Sequence, residues 1–371
     1  MLKAELKRRA LPSLRTREEM MDILQREVYG YLPTVDYSIS VSEETTVERR
    51  YACGNVTHSY VNLTVHLTNG EHTFRVDRLL HNDGKKRPLI LLNNFHPDGA
   101  SPYFPIEELS ESEADYLYVF YKDVTSDNDD FSTGLAPLLL PNGQEAAETC
   151  GKIGIWAWAS MRVIDYALTL PGTDPNNIAI AGHSRLGKTA LFTAMLDTRI
   201  RFVLSNAAGC SGDALAHGNS GLSRTEWTSE LGELICDITK NFPFWFCKNY
   251  RKYAERNISD TFDQHFLLAA IAPRYVMVGS CDLDAWADPK SQQLCALAAG
   301  EAWERLGLSG LVGSERYLQP GEALTDGHVG YFLIHSLHFL SRHSWRYFLE
   351  FIEKHKDDTD QDRSVNHDGQ I

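Results

Sequence analysis

Between residues 88 and 280 the chain repeats one pattern, in which short, continuously apolar runs are separated by longer segments, several with helical periodicity. The runs are PLILLNNF (88–95), DYLYVFYK (115–122), NIAIAGHS (177–184), RFVLSNAAG (201–209) and RYVMVGS (274–280). Strands apolar along their whole length are buried on both faces, and their alternation with helices predicts a mostly parallel sheet in a three-layer αβα sandwich. Ahead of it, SYVNLTVHLTNGEHTFRVDRLL (59–80) alternates apolar and polar residues around Asn69-Gly70, the favoured two-residue hairpin turn, and so predicts an antiparallel N-terminal edge. Residues 17–29 have the spacing of a helix with charged faces. IWAWASMRVIDYALTL (155–170) has the spacing of a packed helix, with Trp156 and Trp158 in the core, and leads directly into the strand at 177–184. The pattern gives one α/β domain over 1–354, with the helix and hairpin of 1–80 packed on it. HKDDTDQDRSVNHDGQI (355–371) reads as a disordered polar tail. In such sheets ligands bind at the carboxyl ends of the strands, where Asn93, Asp123, Ser184, Gly209 and Ser280 fall.

Composition narrows the partners. The 371 residues are 43% hydrophobic, enough for a substantial core, and 50 acidic against 36 basic side chains give a net charge of −14. That balance argues against a nucleic-acid or anionic-membrane partner. No run approaches the length of a membrane helix, and MLKAELKRRALPSLRTREEMMDIL lacks an apolar signal core, so the chain as written is expected in the cytoplasm; a removed leader would place it outside the cell. The seven cysteines form no CxxC pair and are odd in number, which argues against a zinc site and a full disulfide framework. They read as reduced core residues.

The candidate chemistry lies in IAIAGHSRLGKTAL (178–191), where a strand runs through Gly182-His183-Ser184 straight into a helix. A tight strand-to-helix turn forces its serine outward, which is how α/β-hydrolases expose a nucleophile, although Gly187 falls one place later than G-x-S-x-G requires. The alternative is that Ser184 merely caps the helix beginning at Arg185. A serine nucleophile needs a histidine base, and in these folds the order is Ser, acid, His, with the histidine after the last strand. Of 14 histidines, His328 in LTDGHVGYFL (324–333) fits, on a polar turn before an apolar segment that reads as a helix. His335, His338 and His343 then fall inside or beyond that helix, with packing or surface roles, and His183 reads as a packing residue. The acid is sought in CDLDAWADP (281–289): Asp282 stands at the G-x-x-D offset from Gly279, Asp284 sits deeper beside Trp286, and Asp288 precedes Pro289 as a turn residue. Asp284 is favoured, with Asp282 as the alternative.

The block GHSRLGKTAL (182–191) resembles the nucleophile motif of carbohydrate esterase family 15, the glucuronoyl esterases, whose bacterial members share G-H/C-S-R-x-G-K. The late glycine is the spacing of that family. GELICDITKNFPFWFCKNY (232–250), DLDAWADP (282–289) and DGHVGYF (326–332) are similar to further family segments in the same order, and the resemblance covers about residues 80–350. It implies an α/β-hydrolase with Arg185 as oxyanion donor, Lys188 binding uronate hydroxyls, Trp286 lining the sugar site and Glu233 contacting the sugar. Many fungal members carry the acid as a glutamate after the strand that follows the nucleophile; here that stretch reads NAAGCSGDA (206–214), with Asp213 the nearest substitute, so the acid stays with the later loop. The implied reaction is hydrolysis of esters of glucuronic or 4-O-methylglucuronic acid, as between xylan side chains and lignin alcohols, through a Ser-His-Asp acyl-enzyme. No metal or organic cofactor is implied. The implied partner is a glucuronate ester or glucuronoxylan fragment, met by a monomer. The rival readings are an acetyl xylan or other carbohydrate esterase on the same fold, and a non-catalytic carbohydrate-binding relative.

Overall fold

The computed structural model describes residues 2–97, 101–218 and 232–358. Its centre is a sheet of eleven strands: β1 (Tyr37–Val41), β2 (Thr45–Tyr51), β3 (Val56–Leu67), β4 (Gly70–His81), β5 (Arg87–Asn94), β6 (Asp115–Phe120), β7 (Thr173–His183), β8 (Ile200–Asn206), β9 (Tyr275–Cys281), β10 (Glu322–Leu324) and β11 (Val329–Ile334). They lie in the order β1-β3-β4-β6-β5-β7-β8-β9-β11-β10, with β2 on β3. The six strands from β6 to β11 are parallel, and β1 to β4 form the antiparallel edge expected of the N-terminal part. The chain adds β6 on one side of β5 and β7 on the other, so the sheet reverses direction there and opens a crevice at the carboxyl ends of its strands.

The five apolar runs are the five strands β5 to β9. Alternate residues feed two cores: Ile178, Ile180, Val203, Val276 and Val278 face the helices Lys152–Ala167, Arg185–Leu196 and Pro289–Ala299, whereas Ala179, Ala181, Phe202, Leu204 and Met277 face the helix Arg342–His355 through Trp345, Phe348 and Phe351. Trp156 and Trp158 are buried in the first core. The seven cysteines form no disulfide.

Three expectations change. The hairpin register pairs Leu67 with Gly70, so the loop residues are Thr68 and Asn69, one place early. The segment after His328 is strand β11 rather than a helix. Its six residues, Val-Gly-Tyr-Phe-Leu-Ile, are short, flanked by turns and rich in β-formers, which favours a strand buried between β9 and β10. Finally, His355 ends a helix instead of opening a tail, and Asp358 accepts a hydrogen bond from Tyr275 Oη at 2.7 Å; residues 359–371 of the expected tail lie outside the described residues. Among the described residues no helix is long and apolar enough to cross a membrane.

Candidate active site

Ser184 sits between the last residue of β7 and the first of the helix Arg185–Leu196, at φ 55° and ψ −127°. A non-glycine residue there is strained by about 1–3 kcal/mol, and the surroundings must hold it. They do so from both sides: Ser184 N–H donates to Asn206 O of β8 at 2.9 Å, and its carbonyl accepts from Gly187 and Lys188 N–H. Gly182 is required, because a Cβ there would stand 2.0 Å from Leu186 O. A Cβ on Gly187 would lie 3.1 Å from Ala208 Cβ and 3.2 Å from Ser205 Oγ, so the late glycine lets the first helical turn close onto the end of β8. Ser184 makes no side-chain capping bond to the helix. It is partly exposed.

His328 does not join it. Its ring stacks on Tyr275 with centroids 4.6 Å apart, and its backbone carbonyl accepts from Val276 N–H, at the amino ends of β9 and β11. Ser184 lies at the carboxyl ends of the same parallel sheet, so the length of β11, about 20 Å at 3.3 Å per residue, separates the two. The histidine loop follows β11. Asp282 N–H donates to Ile334 O at 3.0 Å, Leu283 N–H to Ser336 O at 3.2 Å, and Asn206 Nδ2 to Phe339 O at 3.0 Å, tying 335–341 to the ends of β8 and β9. The ring of His338 in this loop stands 4.4 Å from that of His183, the neighbour of Ser184.

Asp284 Oδ1 accepts from Ala287 N–H at 3.3 Å, and Oδ2 receives His338 Nδ1 at 2.6 Å. A carboxylate only accepts, so Nδ1 carries the proton and Nε2 is the basic nitrogen of the neutral ring. Asp282 makes a parallel pair, His335 Nδ1 at 2.8 Å, but His335 is 72% exposed. Asp284, buried at 5% side-chain exposure, is the aspartate whose histidine reaches the elbow. His183 is buried against Asn206, and burial first, then the neighbouring His338, pushes its pKa well below the usual histidine range. It therefore stays neutral beside His338. Asp213 is wholly buried, accepting from Ser205 Oγ at 2.6 Å, Gly209 N–H at 2.7 Å and Gln292 Nε2 at 2.8 Å, and braces the turn after β8. Asp288 caps the helix Pro289–Ala299 through Ser291 N–H at 3.0 Å.

Arg185 opens the helix, with its guanidinium 4.5 Å from the Trp245 ring centroid and its Nη1 paired with Asp127. Asp127 also accepts from Trp245 Nε1 at 2.8 Å and Tyr121 Oη at 2.9 Å. Lys188, one turn along, is 3% exposed, and its ammonium donates to the Ala208 carbonyl. Burial lowers its pKa, and Glu233 opposes that shift. Glu233 is itself buried, its pKa raised by burial against the pull of Lys188, and its N–H donates to Trp286 O at 2.8 Å. The Trp286 side chain is half exposed. The fold thus gathers Ser184, Arg185, Lys188, Glu233, Asp284 and Trp286 at one end of the sheet, and excludes His328. His338, Asp127 and Trp245 join them unforeseen. A six-residue strand reading of VGYFLI was the signal that would have moved the histidine loop to 335–341; nothing local marks Asp127.

A serine held outward, an imidazole oriented by a buried carboxylate and a cation at the helix start can together carry out acyl transfer. The family model for glucuronyl esterase of fungi matches residues 143–307. A carbohydrate esterase from an unknown prokaryotic organism is 34% identical over 205 residues, covering 55% of this chain and 44% of that protein. The 4-O-methyl-glucuronoyl methylesterase of Hypocrea jecorina is 32% identical over 171 residues, covering 45% and 36% respectively. The solved glucuronoyl esterase from Solibacter usitatus superposes with a TM-score of 0.79 at 25% identity, over 91% of each chain. The chain is thus similar to the glucuronoyl esterases of carbohydrate esterase family 15. Its sheet and layers are those of an α/β-hydrolase. The part matched by the family model contains the elbow, Asp127's partner Trp245 and the Asp284 loop, whereas His338 lies beyond it. The chain spans less than half the length of the curated relatives it matches.

Proposed function

We propose that this chain is a serine esterase that cleaves esters of glucuronic and 4-O-methylglucuronic acid, with Ser184 as nucleophile, His338 as general base and Asp284 as the acid that orients it. The observation that carries the reading is the His338–Asp284 pair, 2.6 Å apart, with the His338 ring against His183, the residue before a strained serine whose next residue is an arginine. His338 Nε2 takes the Ser184 proton as Oγ attacks the ester carbonyl at C6 of the uronate. The Arg185 backbone N–H and guanidinium face the developing oxyanion, a contribution of about 10²–10³ in rate for such a donor. The imidazolium then protonates the departing alcohol, and water, deprotonated by His338, releases the uronate from Ser184. Lys188, Glu233 and Trp286 support a sugar on the acyl side; xylan side chains esterified to lignin alcohols are the natural context that fits. The test is hydrolysis of benzyl glucuronate beside p-nitrophenyl acetate. The reading expects the larger kcat/KM on the uronate ester, and a preference for the acetyl ester would replace it with the acetyl-esterase reading.

A further inference from the structure

Asp127 is a buried carboxylate, 6% exposed at its side chain, that receives hydrogen bonds from three separate parts of the chain: Tyr121, Arg185 and Trp245. Its loop is pinned from beneath by Lys152, a fully buried lysine at the start of the helix Lys152–Ala167. The Lys152 ammonium donates to Thr125 Oγ1 at 2.9 Å, Ser126 Oγ at 3.2 Å and Asp130 O at 2.7 Å. So much buried structure around one ion pair needs a reason. Orientation alone does not require a charge, since the Trp245 ring already stacks on the guanidinium, with Phe242 and Phe95 at 5.4 and 5.7 Å.

Hydrolysis supplies the reason. An ester of glucuronic acid is uncharged at C6; with water it yields an alcohol, a proton and a uronate anion. Arg185 and Lys188 are two cations within one helical turn of Ser184. An unneutralised guanidinium would hold the anionic product by paired, charge-assisted hydrogen bonds more tightly than the neutral substrate. Lys188 is opposed by Glu233. Arg185 is opposed by Asp127.

We propose that Asp127 sets the selectivity of the site for a neutral uronate ester over the uronate anion formed from it, by cancelling the charge of Arg185 while leaving its N–H groups in place as donors. This rests on the uronate-esterase reading. Asp127 is thus a positioning and specificity residue, which acts through Arg185. It makes a product-bound dead end shallow and keeps turnover from stalling as acid accumulates.

The test compares competitive inhibition of benzyl glucuronate hydrolysis by glucuronate and by glucuronamide, which differ by the charge at C6, in the wild-type chain and in Asp127→Asn. In the wild type the two inhibition constants should agree within about threefold, the pattern of a charge-balanced site. In Asp127→Asn the constant for glucuronate should fall by at least about tenfold, the size expected for an uncancelled unit charge at contact range, while that for glucuronamide moves little. A merely structural role would weaken both inhibitors together. Glucuronate binding the wild type about tenfold or more tightly than glucuronamide overturns the proposal without any variant, and so does an unchanged ratio in Asp127→Asn. Wild-type chain that fails to cleave benzyl glucuronate at all removes the underlying reading, and this proposal with it.

Discussion

At the scale of single residues, the chain places strain where it exposes a hydroxyl. Ser184 holds φ 55° because Gly182 leaves room beneath it and Asn206 O receives its N–H. Glycine adopts that conformation without penalty. Ser184→Gly is therefore expected to stabilise the fold by about 1 kcal/mol while removing turnover by a factor of about 10⁴ or more. Thermal unfolding and a kcat measurement on the same preparation check it, and a lowered Tm would mean that the serine side chain contributes more than its backbone costs. Ser184 and Arg185 were legible as candidates in the sequence because they share a short motif whose geometry is local, whereas the sequence favoured Asp284 over Asp282 only narrowly, and the contact that separates the two, His338 against His183, joins distant loops. Gly187 was legible as a departure from the usual elbow, and the structure gives its reason, the close approach to Ala208 and Ser205.

At the scale of elements, one misread segment moved one residue. The five buried strands could be read because continuous apolar runs between turns have few other uses. VGYFLI is such a run, but six apolar residues do not separate strand from helix by periodicity alone. Taken as helix, it puts His328 on the catalytic loop; taken as β11, it carries the chain to the other end of the sheet and delivers His335 and His338 instead. Both aspartates of the preceding loop then find a histidine, Asp282 with His335 and Asp284 with His338. They are not equivalent, because only His338 packs against the elbow. Asp284→Asn should lower kcat by about 10²–10⁴, through the wrong tautomer of His338, and Asp282→Asn by no more than about threefold. Steady-state kinetics on the two variants decide between them; equal losses would count against the assignment.

At the scale of the whole molecule, long-range polar contacts close the N-terminal segment and the loops onto the sheet. Arg9 donates to His217 O and Ser291 Oγ, Arg17 to Ala270 O and Met195 O, and His217 pairs with Asp263 at 2.7 Å. Burial raises the pKa of Asp263, but the His217 ring and the amides of Ala216 and His217 outweigh it, and the net shift is downward. Folding thus favours the ionised form. Its stabilisation is fully present above the ordinary aspartate pKa of about 4 and is lost as pH falls through the lower folded value. Urea unfolding midpoints should hold steady from neutral pH to about 5 and then drop, with Asp263→Asn less stable by about 2 kcal/mol at pH 7 and flatter below pH 4. A variant that tracks the wild type throughout would contradict this.

The arrangement of the molecule also sets its most direct test, since a parallel sheet has two ends and only one of them holds Ser184. His338 and His328 stand at opposite ends of β11. The decisive measurement is kcat for benzyl glucuronate in His338→Ala and His328→Ala beside the wild type. A loss of about 10⁴ is expected for His338→Ala and a value within about threefold of wild type for His328→Ala. An active His338→Ala enzyme, with activity lost instead in a folded His328→Ala, would contradict it.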